Sequence, residues 1–93
     1  MKILEGKNIL ITGASRGIGN GIAFTLASHG ANIFFTYVNS KNNAIVLEKK
    51  IEKLGVNVKS YKSDASSFDE SQKLVKDVIN DFERIDVLIN NAG

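Results

Sequence analysis

Four short apolar runs alternate with three stretches of helical periodicity, and this order constrains the fold more than any other feature of the chain. Lys7 to Thr12 reads KNILIT, an apolar run that stops at a glycine, as a buried strand does. Between Gly17 and His29, the residues Ile18, Ile22, Ala23, Leu26 and Ala27 recur on one helical face. Gly30 follows where a left-handed C-cap is expected. Asn32 to Tyr37, NIFFTY, is aromatic, β-branched and continuous, which predicts a second buried strand. A second helix is expected from about Ser40 to Leu54, with Ala44, Leu47, Ile51 and Leu54 inward and Gly55 closing it. Val56 to Tyr61 alternates more and suits a strand at a sheet edge. Ser67-Phe68-Asp69-Glu70 has the spacing of a capping box, and the helix it opens should turn Leu74, Val75, Val78, Ile79 and Phe82 inward. Ile85 to Asn90, IDVLIN, is the fourth strand.

The resulting order β-α-β-α-β-α-β, with short connections, implies parallel strands, right-handed crossovers and helices on both faces of an open sheet. The fold class is therefore α/β: the N-terminal portion of a Rossmann-like, doubly wound parallel sheet in three α/β/α layers. Neither a linker nor a repeat interrupts it, and proline is absent. Residues 1–93 read as one portion of such a sheet that stops after the fourth strand. That strand would ordinarily pair with a fifth, so an open edge that invites association is expected.

Composition removes several function classes. An apolar content of 43% with 24% charged residues is that of a soluble globular chain. Runs such as Ile9-Leu10-Ile11 are too short to span a bilayer. Glu5, Gly6 and Lys7 interrupt the N-terminus before any long apolar stretch, which argues against a signal peptide, and a cytoplasmic location is expected. The chain has no cysteine and one histidine, so neither a disulfide framework nor a zinc centre is expected. His29 falls at a helix end and is not read as catalytic. A net charge of +2 without a basic cluster gives no reason to expect nucleic acid.

Residues 12–21, TGASRGIGNG, carry four glycines. They follow the first strand, at the side of a parallel sheet where ligands bind. Gly13 can turn the chain off the strand. Gly17 and Gly19 open the helix, and without a Cβ they let a pyrophosphate approach backbone N–H groups at the positive helix end. A purely structural tight turn rarely needs three glycines, so phosphate binding is the expectation. Gly21, inside the helix, is read as a close-packing residue.

These residues carry a resemblance. Thr12-Gly13-Ala14-Ser15-Arg16-Gly17-Ile18-Gly19 resembles the cofactor signature of the short-chain dehydrogenase/reductase family. Asn90-Asn91-Ala92-Gly93 resembles that family's second signature, and Asp64 matches its adenine-contacting aspartate, with Ala65 beside it. Within the family, TGASRGIG and LEGKNILIT are most similar to the 3-oxoacyl-(acyl-carrier-protein) reductases of fatty-acid synthesis. The resemblance implies an oxidoreductase that passes hydride from NADPH to a ketone. Its substrate would be a small molecule or an acyl chain on acyl-carrier protein, and the complete chain would be a homo-oligomer, a tetramer in the family. Two alternatives stay open: a non-catalytic NADP(H)-binding module, and a dehydrogenase acting on another alcohol or ketone.

The end of the second strand distinguishes the two nicotinamide cofactors. An NAD enzyme places a carboxylate there for the ribose 2′-hydroxyl. Here Tyr37, Val38, Asn39 and Ser40 follow one another, and no acid occurs from Ala31 to Asn43. Arg16 reaches this region in the family, and a guanidinium matches phosphate. NADP(H) is therefore expected, with Tyr37, Asn39, Ser40 and Arg16 at its phosphorylated ribose. Ser40 is equally readable as the N-cap of the second helix, and Arg16 as a solvated surface residue. Asp64 could instead support the loop before Ser67, and Asn90 could tie neighbouring strands together. Ala92 and Gly93 would let backbone lie close to the adenosine ribose.

The family's tyrosine acid/base, its lysine four residues on, its carbonyl-orienting serine and its relay asparagine all lie beyond the second signature. Tyr37-Val38-Asn39-Ser40-Lys41 has the tyrosine–lysine spacing but leaves a strand rather than lying on a long helix, so no catalytic residue is assigned.

Overall fold

The apolar runs form strands and the periodic stretches form helices, in the expected order. The computed structural model describes residues 3–14, 17–64 and 66–91. Its elements are β1 (Asn8–Thr12), α1 (Gly17–Ser28), β2 (Asn32–Tyr37), α2 (Lys41–Glu52), β3 (Val58–Lys62), α3 (Phe68–Phe82) and β4 (Val87–Asn90). The strands make one parallel sheet in the order β3-β2-β1-β4. The alternating run is at an edge, as expected of it.

Side-chain alternation along β1 creates the layers. Ile9 and Ile11 face one side with Ile33 and Phe35, where Ala23 and Ala27 of α1 and Ala44, Leu47 and Ile51 of α2 cover them. Leu10 faces the other side with Phe34, beneath Leu74 and Val78 of α3. Phe34 also stacks on Phe82, ring centroids 4.1 Å apart. Each large side chain buried this way contributes about 1.5–3 kcal/mol, so the two central strands supply most of the core. The edge strand is held by polar contacts instead. Ser60 donates its N–H (2.8 Å) and its hydroxyl to Glu48 of α2. Lys59 and Tyr61 both reach Asp81 of α3, at 2.7 and 2.8 Å.

Several boundaries and faces differ from the sequence expectation. Ile18 is 79% exposed, because the buried stripe of α1 runs Gly19, Ala23, Ala27 and leaves Ile18 a step around the helix. Val75 and Ile79 are likewise exposed: α3 meets the sheet through Leu74 and Val78, and the adjacent flank lies outside that contact. Gly21 is not a close-packing residue, since a Cβ there would meet nothing within 4 Å. Helix α2 ends at Glu52, and Lys53 to Gly55 turn away, with Gly55 at φ 83°. Strand β3 spans Val58–Lys62 rather than beginning at Val56. Strand β4 begins at Val87 because Asp86 folds onto Asn8, whose N–H donates to Asp86 Oδ2 at 2.8 Å while Asp86 N–H donates to Asn8 O at 2.8 Å.

The capping box at α3 is half formed. Ser67 Oγ accepts the Glu70 N–H at 3.3 Å. The Glu70 carboxylate does not reciprocate; it takes the Asp64 N–H at 3.1 Å, and Ser67 N–H donates to Asp64 O at 3.0 Å.

At the amino ends of the strands a side-chain network ties β1 to β2 and β4. Buried Asn8 accepts from Asn32 Nδ2 (2.9 Å) and donates to the carbonyls of Arg84 (3.0 Å) and Phe82 (3.3 Å). The Asn8 N–H, and after it the Arg84 guanidinium, hold the Asp86 carboxyl below the usual carboxylate range. A group depressed this way stabilises the fold above its unfolded pKa and loses that contribution as pH falls through the folded value. Urea midpoints should therefore fall between pH 7 and pH 3 in the wild type, and by less in Asp86→Asn; identical slopes would contradict it. Asn8→Ala should cost about 1–3 kcal/mol, because three polar groups lose their partner. Thermal melting reads this as a drop of about 4–8 °C per kcal/mol for a domain of this size.

Candidate functional site

Parallel strands open their carboxyl ends on one side of the sheet. The chain runs from β1 outward to β2 and β3, and β4 lies on the other flank of β1. The reversal of strand order thus falls between β1 and β4, where open α/β sheets form a ligand crevice. The loop from Gly13 to Gly17 leaves β1 at that point.

Gly13 and Gly17 have φ of 72° and 67°, a region that strains any residue with a Cβ. Gly13 follows β1 and Gly17 opens α1, whose first turn carries no acidic residue. The first turn of a helix leaves backbone N–H groups without intrahelical partners and is favourable to anions. Gly19 is bare for a different reason than ligand access. A Cβ there would lie 2.5 Å from Asn91 Nδ2, 2.7 Å from Gly13 O and 2.9 Å from Ala14 Cα. The helix is pressed onto its own loop, and the space is filled by the protein.

Hydrogen bonds lace the four strand ends together. Asn91 donates from Nδ2 to Gly13 O and from its N–H to Thr12 Oγ1, both at 3.1 Å. Thr12 Oγ1 donates to Asn90 Oδ1 at 3.1 Å, so Asn90 does tie β4 to β1. The Gly13 N–H donates to Thr36 Oγ1 on β2 at 2.8 Å, and Ser63 N–H, just past β3, donates to Tyr37 O at 3.0 Å. Thr12 and Asn91 stand inside the two signature motifs without a role assigned to them, and Thr36 lies outside both. Thr12 is the polar last residue of β1, Thr36 the last but one of β2, and Asn91 the residue after β4.

The remaining expected residues that the structure describes sit at the same side. Tyr37 ends β2 half-buried, and Asn39 is exposed beyond it. Ser40 occupies the N-cap position of α2 but its side chain makes no capping hydrogen bond. Asp64 follows β3 and accepts at Oδ1 from the Ser66 hydroxyl (2.7 Å) and N–H (2.9 Å), which hold its carboxyl below the usual range. These bonds support the loop before Ser67. Ile18 is exposed beside the glycine turn. Ser15, Arg16, Ala65, Ala92 and Gly93 lie outside the described residues. Tyr37 belongs to β2 and Lys41 opens α2, so the pair does not share a helix. Among the described residues, no group of three potential metal ligands occurs and no helix is long and apolar enough to cross a membrane.

This arrangement agrees with what the chain is similar to. The short chain dehydrogenase family model matches residues 7–93. The chain belongs to that family. A 3-oxoacyl-(acyl-carrier-protein) reductase FabG of Staphylococcus epidermidis is 40% identical over 87 residues, 94% of this chain and 36% of the relative. A 2-dehydro-3-deoxy-D-gluconate 5-dehydrogenase of Pseudoalteromonas atlantica is 43% identical over 90 residues, 97% of this chain and 35% of the relative. Among solved structures, a short chain dehydrogenase from Burkholderia cenocepacia in complex with NADP superposes with TM-score 0.93 at 39% identity, covering 97% of this chain and 37% of the other. An NADH-dependent reductase complexed with NAD superposes with TM-score 0.89 at 38% identity, covering 97% and 37%. The chain thus spans little more than a third of the length of the family members it matches.

The two helical glycines of α1 should respond oppositely to alanine. Gly19→Ala meets backbone atoms that cannot yield cheaply, so it should destabilise by about 1–3 kcal/mol. Gly21→Ala enters open space in a helix interior and should stabilise by about 0.5–1 kcal/mol. Urea denaturation of both variants checks this, and a Gly19→Ala protein as stable as wild type would refute the packing argument.

Proposed function

We propose that residues 1–93 are the NADP(H)-binding part of a short-chain reductase. The observation that carries this is the pair of left-handed glycines, Gly13 after β1 and Gly17 at the acid-free N-terminus of α1, at the reversal of strand order. Gly13, Gly17 and the first turn of α1 would hold the pyrophosphate, with Ile18 beside it and Gly19 setting the helix position. Tyr37, Asn39, Ser40 and Arg16 would surround the ribose phosphate. Asp64 and Ala65 would lie at the adenine, and Asn90, Ala92 and Gly93 near the adenosine ribose. The bound nicotinamide would supply hydride to a ketone carbon.

The likeness to a 3-oxoacyl-(acyl-carrier-protein) reductase supports a 3-oxoacyl thioester as substrate, and with it fatty-acid synthesis, a cytoplasmic setting and a homo-oligomeric complete enzyme. The sugar-acid dehydrogenase supports the alternative of another alcohol or ketone. A second reading is a binding module that catalyses nothing; under either reading Tyr37 and Lys41, on different elements, are not a catalytic pair.

Residues 1–93 should bind NADPH, read by fluorescence titration, and should not oxidise it with a 3-oxoacyl thioester. Arg16→Ala should erode the preference for NADPH over NADH by about 10- to 100-fold, the worth of a charge-assisted hydrogen bond at about 1.5–3 kcal/mol. Equal affinity of the wild type for the two cofactors, or an unchanged preference in Arg16→Ala, would overturn the assignment of NADP(H).

A further inference from the structure

Among the described residues, three polar side chains are buried: Asn8, Thr36 and Ser63. Asn8 serves the amino ends of the strands and Ser63 closes β3. Thr36 is different, because its partner belongs to the glycine turn. It is 2% exposed, and its Oγ1 accepts the Gly13 N–H at 2.8 Å. Gly13 is the first residue past β1 and stands at φ 72°, so the bond fixes the point where the turn departs. The next residue, Tyr37, holds Ser63 N–H through its carbonyl at 3.0 Å. The last two residues of β2 therefore grip the loops on both sides, one through a side chain and one through backbone.

We infer that Thr36 is a positioning residue for the dinucleotide: its hydroxyl locks the pyrophosphate turn in register with the ribose end formed by Tyr37, Asn39 and Ser40. The inference rests on the cofactor reading above. Valine has nearly the shape of threonine but no acceptor, so Thr36→Val leaves the Gly13 N–H without this partner. The turn then loses this tether to β2, while the residues that follow Thr36 are unchanged.

The test uses two ligands and one ligand-free measurement. Thr36→Val should weaken NADPH binding roughly tenfold and leave 2′-AMP, which engages only the ribose end, within about twofold of wild type. Thr36→Ser should restore NADPH binding. In the free protein, hydrogen exchange at the Gly13 amide should be slow in wild type and Thr36→Ser, and fast in Thr36→Val. Equal weakening of both ligands, unchanged NADPH binding in Thr36→Val, or failure of Thr36→Ser to restore it would overturn the inference. Fast Gly13 exchange in the wild type would overturn it even if Thr36→Val does not fold. A wild type that binds neither ligand removes the cofactor reading and this inference with it; a protected Gly13 amide in that case shows the turn is sound and the ligand wrong.

Discussion

The geometry at the carboxyl ends of the strands depends on one missing atom, the Cβ of Gly19. Without it, α1 lies against the carbonyl of Gly13 and the Cα of Ala14, closer than any substituted residue permits. That approach fixes how the chain leaves β1 and where the N-terminus of α1 points. It also fixes β4, because Asn91 fills the space beside Gly19 and bonds both Gly13 and Thr12. A helix shifted outward by one methyl group would lose the tight turn and this tie together.

The two ends of the sheet are secured by different chemistry. At the amino ends, side-chain amides and one carboxylate do the work: Asn8, Asn32 and Asp86 saturate one another and the neighbouring backbone. At the carboxyl ends the ties involve loop backbone at Gly13, Tyr37, Ser63 and Asn91. The first arrangement turns the polar side chains on one another and on neighbouring backbone. The second holds the loops in place while leaving Ser40 without a capping bond and Asn39 exposed. Order without saturation is what a binding edge requires.

Element order, the parallel sheet and the position of the glycine turn were legible from the sequence because each has a local signature: a period, a C-cap glycine, an apolar run. Which residues face inward was less legible. Helix α1 packs through Gly19, Ala23 and Ala27, and a small residue gives a weaker periodic signal than the isoleucine beside it. Val75 and Ile79 match the helical period as well as Leu74 and Val78 do, and only the tertiary arrangement exposes them. The reason for Gly19 was hidden too: a glycine needed for ligand access and one needed for close packing look alike in sequence. So was the redirection of Glu70 from Ser67 to Asp64, since both partners lie within reach of the same carboxylate.

On the proposed reading, magnitudes rank what selects the phosphorylated cofactor. One guanidinium hydrogen bond from Arg16 is worth about 1.5–3 kcal/mol. A carboxylate about 4 Å from a phosphate would cost about 4 kcal/mol per charge pair at an effective dielectric of about 20. The absence of any acid from Ala31 to Asn43 is thus the stronger determinant, and Arg16 refines it. The acids that do lie near the strand ends are engaged elsewhere. Asp64 is turned onto Ser66, Glu70 onto the Asp64 N–H, and Glu48 onto Ser60. Each of these carboxylates is aimed at the protein's own donors, so Tyr37, Asn39 and Ser40 bring a phenol, an amide and a hydroxyl, and no acid, to the end of β2. Such a surface tolerates a 2′-phosphate before any cation is counted.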